Sequence, residues 1–512
     1  MNAQPFLNIK NDTFWNTQDG QPIYSQGGGI FRFTDPQTGI EKYYWYGAQY
    51  KEAALYRTDP SLTQPRDNFI SVTCYSSTDL VNWKSEGDAL SRAELDKHYD
   101  NTRWAGRLGT VYLKEIKKYA MFIQHDREVL VTISDNPAGP FTWHQRINME
   151  SMIGTSNTGD QTVFTDEDTG ISYLVYSYGR GRNKIYISEI GVKDGKVGLL
   201  DCTEIYRGEG REGNCMFKYN GKYYMFASNL YGWDSSYAYY LTADDIRGPY
   251  LPENKMRIAP GSMDDYAHVS QTGFFVKVKG SRQETVIFCG DRWANFAGNG
   301  LGYNQWCPLS FEGETPYFNS LNSWDLNAAT GEWRTAKDNN YVKNGSFEAD
   351  RRHIPSIEKP VQEQLLGWTT KVYEGNTIVI GSSDSPVLNY FNTRDDRKFV
   401  IGEKSLQISD KIDFKRKVYQ IIESSPFVKL EDGRYTLTAK VRNSSGFNKL
   451  EMYAESGGNK QVHSFKEEHV SWQTIQIKNV AVSSGKVEIG FLAAGTAGAI
   501  CLVDDITLIK SW

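Results

Sequence analysis

From residue 41 an aromatic run, EKYYWYGAQY (41–50), gives way after a polar stretch to a second run, TCYSSTDLVNW (73–83). The pairing recurs four times. KKYAMFIQHD (117–126) precedes LVTISDNPAGPFTW (130–143), and ISYLVYSYGR (171–180) precedes KIYISEI (184–190). GKYYMFASNL (221–230) precedes YYLTADDIRGPY (239–250), and ETVIFCGDRW (284–293) precedes NQWCPLSF (304–311). A less polar strand, such as GGIFRF or GTVYLK, stands ahead of each pair, and TDPQTG, DEDTG and YNG form polar turns. No segment sustains the 3.6-residue period of a helix. Self-similarity of this kind marks a repeat architecture, here five units of three or four strands. Arranged radially, they form a five-bladed β-propeller. An irregular mixed sheet is the competing arrangement.

The pattern changes after SWDLNAATGEW (323–333), where the polar RTAKDNNYVKNGSFEAD reads as a linker. GRYTLTAKVR (433–442), NKLEMYAE (448–455), WQTIQIKNVAV (472–482), GKVEIGFLAA (485–494) and AICLVDDITLI (499–509) then alternate apolar and polar positions. Period two is the mark of antiparallel sheet with one buried face. The expected fold class is all-β: a five-bladed β-propeller over residues 1–338, then a β-sandwich of jelly-roll type over 339–512.

Composition supports strands and narrows the partners. With 32 Tyr, 13 Trp and 46 Gly, the chain is rich in strand formers, turn residues and rings that stack on flat ligands. A net charge of −5 leaves no basic stripe and argues against a nucleic-acid partner. No run of 18 apolar residues predicts a membrane-spanning helix. Cys74, Cys202, Cys215, Cys289, Cys307 and Cys501 form no CxxC pair, which argues against zinc; buried free thiols are expected, with a disulfide left open. The opening MNAQPFLNIKNDTFW lacks an apolar export segment. Its NAQ fits the scar of a removed signal peptide behind an added Met1, so a periplasmic or extracellular location is the expectation.

Two acidic residues stand where core-like strands begin. Glu212 lies between Arg211 and the small Gly213, in REGNCMF, and Asp160 lies in NTGDQTVF. Taken alone, they read as a surface glutamate paired with Arg211 and a turn aspartate capping its own backbone.

Residues 11–333 resemble glycoside hydrolase family 43, in the branch that holds exo-β-1,3-galactanases and neighbouring β-D-galactofuranosidases and α-L-arabinofuranosidases. DGQPIYSQGGGI, YSSTDLVNW, NPAGPF, NTGDQTVFTDEDTGISYLVYS, REGNCMFKYNGKYYMFAS, HVSQTGFF, GDRW and WDL carry the resemblance. It implies an exo-acting, inverting glycosidase on a polysaccharide or oligosaccharide, with Glu212 as general acid and Asp160 as the carboxylate that tunes and orients it. Gln271 and Gln26 are the implied pore amides that position water, with Asp264 and Asp265 as reserve bases. Trp104, Trp233, Trp293 and Tyr46 are candidate stacking rings. Arg107, His268, Asp291 and Arg292 are candidate hydroxyl binders, Asp291 and Arg292 being alternatively a blade-closing ion pair. NGSFE and VDDITL resemble a carbohydrate-binding jelly roll, whose Glu348, Asp504 and Asp505 are candidate ligands of a structural Ca²⁺.

The chain departs from the galactanase pattern in three places: Gln26 replaces His, Gly106 precedes Arg107 in place of Glu, and EGN replaces EAP. Gly106 is expected to open space in the glycone pocket, and Gly213 to leave room for substrate. These departures favour release of a terminal furanose, β-D-galactofuranose or α-L-arabinofuranose. An exo-β-1,3-galactanase is the alternative. From other classes, a non-catalytic glycan-binding propeller and a protein-interaction propeller remain. No Gly-rich phosphate loop opens a helix, so no cofactor is expected for catalysis. A monomer is expected.

Overall fold

The computed structural model describes residues 5–11, 13–59, 68–125, 128–230, 236–259, 270–294, 299–347, 365, 367–377, 388–389 and 405–511. Packing divides the chain into two units. One comprises Met1–Met256, Ser270–Leu309 and Leu326–Trp333; the other comprises Arg257–Val269, Ser310–Asp325 and Arg334–Trp512. Strands dominate both. Among the described residues, the helices are Lys51–Thr58, Arg92–Leu95 and Glu150–Ile153, and none is long and apolar enough to cross a membrane. The helix Lys51–Thr58 was not legible in KEAALYRT. It holds by burying Ala53 and Tyr56, with the buried Glu52 carboxylate accepting the Asn68 N–H.

The first unit carries five successive antiparallel meanders. The first sheet runs Gln26–Thr34, Glu41–Tyr50, Phe69–Ser77 and Lys84–Ser91, and the second Leu108–Leu113, Lys118–His125, Glu128–Ser134 and Thr142–Ile147. In the third, Thr158–Thr165 pairs with Ser172–Tyr178, which pairs with Lys184–Lys193, with Thr203–Arg207 beyond. The fourth is Glu212–Tyr219, Lys222–Ser228, Ala238–Ala243 and Asn254–Lys255. The fifth brings together Gln271–Lys279, Glu284–Ala294 and Asn299–Glu312. The opening strands neighbour one another in a cycle: first beside second, second beside third, third beside fourth, fourth beside fifth, fifth beside first.

Apolar layers fill the spaces between consecutive sheets. Tyr46, Met121 and Leu130 lie between the first and second, Phe122, Val163 and Leu174 between the second and third, and Val175, Met225 and Leu241 between the third and fourth. Trp45 of the first sheet meets Trp306 of the fifth with ring centroids 5.1 Å apart. The Asn11 side chain ties the N-terminal segment to the fifth sheet, donating to the Trp306 carbonyl and accepting its N–H.

Four opening strands carry a β-bulge near their start: between Gln26 and Gly29, Thr158 and Gln161, Glu212 and Cys215, and Thr272 and Phe274. An extra residue in a strand bends it and re-aims side chains, and bulges concentrate at functional rims. At the Glu212 bulge, Gly213 has φ +62, and a Cβ there would lie 2.6 Å from Thr272 Oγ1. The room expected for substrate beside Gly213 is therefore filled by the neighbouring strand. Replacing Gly213 with alanine should cost about 1–2 kcal/mol for the left-handed backbone alone, more with the clash. Chemical denaturation of Gly213→Ala measures it.

In the second unit, period two appears as expected. One sheet runs Thr369–Glu374, Phe414–Glu423, Lys486–Gly495, Phe447–Ser456 and Asn459–Ser464; the other runs Leu388–Asn389, Ser405–Ser409, Ile500–Lys510, Gly433–Asn443 and His469–Val482. Tyr435, Leu437, Ala439 and Val441 alternate into the core. Arg416 occupies an inward position that the pattern assigns to an apolar side chain. It is fully buried and paired with Asp410.

Of the calcium candidates, Asp504 is buried and its Oδ1 accepts the Asp505 N–H, while Glu348 lies outside the described residues. Among the described residues, no three His, Cys, Asp or Glu side chains gather as a metal site. All six cysteines are free thiols, five buried and Cys202 half-buried.

Candidate active site

The bulged starts of the opening strands, with the segments beside them, converge on a cavity of about 170 Å³ in the first unit. Every sheet contributes: Gln26 from the first, Arg107 and Gln124 from the second, Asp160 and Arg182 from the third, Glu212 from the fourth, Gln271 and Trp293 from the fifth.

Arg107 is the hub. Only 4% exposed, it donates from Nε to Asp160 Oδ2 (2.9 Å), from Nη1 to Asp291 Oδ2 (2.7 Å) and from Nη2 to Gln271 Oε1 (2.8 Å). Its guanidinium lies 5.7 Å from the centroid of Trp293, whose Nε1 also donates to Gln271 Oε1 (2.7 Å). A guanidinium presents its donors in a fixed planar fork, so three acceptors from the third and fifth sheets fix one another through it. Arg107 and Asp291, both expected to hold sugar hydroxyls, thus meet each other. Asp291 also accepts the Gly27 N–H (2.9 Å) and forms an ion pair with Arg107.

Glu212 lies across this network. Gln271 Nε2 donates to its Oε1 (3.2 Å) and to Ser228 Oγ (2.9 Å), and Arg182 stands 3.3 Å from its Oε2. Arg211, the partner its position in sequence suggested, instead binds Glu253 (2.7 Å) and stacks over Tyr239. Asp160 does not cap its own backbone. Its Oδ2 accepts the Gly213 N–H (2.8 Å) as well as Arg107, and its Oδ1 accepts from Arg182 (3.1 Å). The peptide N–H next to the acid is therefore held by the very carboxylate that faces the acid.

The two carboxyls are pushed apart in acidity. Burial, and then the nearby charge of Asp160, raise Glu212 to about 7, against the pull of Arg182, Arg107 and Gln271. Burial also opposes ionisation of Asp160, but Arg107, Arg182 and the Gly213 N–H outweigh it and hold that carboxyl below its ordinary value. One group keeps its proton near neutrality while its neighbour stays ionised, the arrangement that separates an acid from an electrostatic partner.

Gln26 Nε2 donates to Asn304 Oδ1 at 3.4 Å, bringing an amide from the first sheet to the cavity wall. Trp104 also lines the cavity. Gly106 does not open space: a Cβ there would lie 2.4 Å from the Trp104 ring and 3.0 Å from Gln124 Oε1. Tyr46 is core, fully buried, with its hydroxyl donating to the Pro137 carbonyl. Trp233, Asp264, Asp265, His268 and the Arg292 side chain lie outside the described residues.

Sequence reasoning missed Arg182, Gln124 and Asn214. Arg182 sits in the turn YGRGR at φ +52, and nothing in that string separates it from Arg180. Asn214 Nδ2 donates to the Asp160 carbonyl and to Ser177 Oγ, both at 2.8 Å, and its place two residues after Glu212 was the available signal.

Comparison with known proteins gives the family and the fold. The family model described as glycosyl hydrolases family 43 matches residues 40–300, 261 of the 512. A β-D-galactofuranosidase of Aspergillus niger is 25% identical over 264 residues, spanning 48% of this chain and 70% of that protein. Two solved structures share the fold. An exo-β-1,3-galactanase from Phanerochaete chrysosporium is 20% identical over 98% of this chain and 99% of its own, with a TM-score of 0.54. One from Clostridium thermocellum is 18% identical over 98% and 100%, with a TM-score of 0.54.

Proposed function

The chain belongs to glycosyl hydrolases family 43 and is a glycoside hydrolase, and from that premise we propose an exo-acting, inverting enzyme that releases a terminal furanose from a polysaccharide or oligosaccharide. The observation that carries the reading is Glu212, a buried carboxyl raised to about 7 beside an ionised Asp160. Glu212 gives its proton to the departing glycosidic oxygen as the bond to the anomeric carbon breaks. Water attacks that carbon from the opposite face and sheds its proton to solvent, from which Glu212 is reloaded. Gln26 positions this water by accepting its hydrogen bond, since a neutral amide is too weak a base to do more. Gln271, expected to share that task, has its Oε1 taken by Arg107 and Trp293 and its Nε2 by Glu212 and Ser228, and so holds the acid instead. Trp104 and Trp293 supply flat faces for the ring.

On this reading the five meanders, with opening strands in a cycle, are the blades of a propeller spanning about residues 1–338. The two five-stranded sheets are the jelly roll of 339–512, a carbohydrate-binding-module-like domain. A periplasmic or extracellular setting suits a polymeric substrate.

The A. niger relative supports a furanose, and the departures at Gln26 and Gly106 weigh against β-1,3-galactan. The two galactanase structures keep that substrate as the second reading. A non-catalytic binder would have no need for two buried carboxyls so far apart in acidity.

The test compares initial rates on aryl β-D-galactofuranoside, aryl α-L-arabinofuranoside and β-1,3-galactobiose, with the first-released anomer followed by proton NMR. Furanosides should be preferred, with inversion. Preference for galactobiose would return the enzyme to the galactanases, and retention of configuration would exclude this mechanism.

A further inference from the structure

Two polar atoms of cavity-lining side chains have no partner among the described residues. Gln124 Oε1 and Trp104 Nε1 are both buried without a hydrogen bond. Gln124 is only 4% exposed, yet it lines the cavity together with Trp104. A buried polar group left unpaired is costly and calls for an explanation. The lapse is not local disorder of the strand. Gln124 is fixed in register, its N–H donating to the Arg107 carbonyl (3.0 Å) and its carbonyl accepting the Gly106 N–H (2.8 Å). The indole edge and the amide oxygen both crowd the point where a side chain at position 106 would begin. One atom is a donor only and the other an acceptor only. Together they are the complement of hydroxyl groups.

Their place in the cavity says which hydroxyls. Glu212 opens the fourth sheet, whereas Gly106 and Gln124 belong to the second, and these sheets are not neighbours in the cycle. If Glu212 protonates the oxygen at the anomeric carbon, the wall across the cycle faces the other end of the furanose ring. There the exocyclic arm departs. In β-D-galactofuranose that arm is a two-carbon vicinal diol; in α-L-arabinofuranose it is one carbon with one hydroxyl.

Resting on the furanose reading above, we propose that Trp104 and Gln124 read this arm and select the galactofuranose configuration. Gln124 Oε1 accepts from one hydroxyl of the diol, Trp104 Nε1 donates to the other, and a small displacement of the indole admits both. Arabinofuranose can satisfy only one of the two atoms and leaves the other buried and unpaired. A site built to bond a hydroxyl rejects the analogue lacking it far more strongly than an apolar pocket rejects a missing methylene.

The experiment measures kcat/KM on aryl β-D-galactofuranoside and aryl α-L-arabinofuranoside for the full-length wild type, Gln124→Leu, Trp104→Phe and Gln124→Glu. The wild type should prefer the galactofuranoside. In Gln124→Leu and Trp104→Phe the ratio of the two values should fall roughly tenfold to a hundredfold, the loss on the arabinofuranoside being the smaller. Gln124→Glu keeps an acceptor and should retain most of the ratio. Because the ratio is taken within one protein preparation, partial misfolding cancels, and Trp104→Phe tests the pair even if Gln124→Leu does not fold. A ratio within twofold of wild type in both variants overturns this assignment while leaving the furanose reading intact. A wild type that cleaves β-1,3-galactobiose and neither furanoside overturns the reading itself, and the assignment with it.

Discussion

Glu212→Gln should lower kcat/KM on natural glycosides by about 10²–10⁴-fold, the span a positioned general acid supplies, and should still fold. The substitution keeps the shape of the side chain and its contact with Gln271, and it removes only the transferable proton. In the wild type, the same proton sets the pH dependence. Burial and Asp160 raise Glu212 to about 7, so kcat/KM should fall as pH rises through about 7. The stability linkage has the same sign. A carboxyl whose folded pKa lies above its unfolded value is hard to ionise in place, so its contribution weakens as pH rises from the unfolded value of 4.5 through about 7. A wild-type profile with no alkaline fall near neutrality would remove Glu212 from the acid role.

Asp160→Asn should have the second largest effect, in two readouts. Removing the neighbouring negative charge lowers the Glu212 pKa, so the alkaline limb of kcat/KM moves to lower pH. Stability falls as well, because Arg107 and Arg182 lose a shared counter-ion in a buried site. Breaking one side of a buried ion pair typically costs roughly 3–5 kcal/mol, and the Asp291 contact retained by Arg107 places the loss at the low end. Asp160 titrates below its ordinary value of 3.8, at about 2. Its stabilisation is therefore present above 3.8 and fades as pH falls towards 2, so the gap between wild type and variant should close in acid. Urea denaturation at several pH values reads the gap. An alkaline limb that stays put or moves upward would sever the link between the two carboxyls.

Much of the fold was legible because it rests on short-range signals. Paired aromatic runs with polar turns mark a meander wherever they fall, and period two in residues 433–509 marks half-buried sheet whatever its neighbours. The helix Lys51–Thr58 escaped because it is one short segment held by tertiary burial rather than by its own periodicity. Arg416 escaped because its presence in the core depends on Asp410 across a turn. In the site, Glu212 and Asp160 stood out as acids at strand starts, but only the family resemblance gave them their roles. Their partners did not stand out. Arg107 gathers acceptors from residues 160, 271 and 291, separations no local pattern encodes. The two glycine inferences failed for the same reason. What fills the space beside Gly106 is the ring of Trp104, two residues earlier, and beside Gly213 it is Thr272, on another sheet.

The central claim is that Glu212 delivers the proton to the leaving oxygen, and leaving-group dependence tests it most directly. Glu212→Gln and wild type should be compared on one glycone carrying a series of aryl leaving groups, from dinitrophenyl to unsubstituted phenyl, and then an alkyl group. The account predicts that the deficit of the variant is small with dinitrophenyl, which departs without protonation, and grows steadily to its full size with the alkyl glycoside. An equal deficit across the whole series would contradict it, since Glu212 would then be serving some step other than protonation of the leaving group.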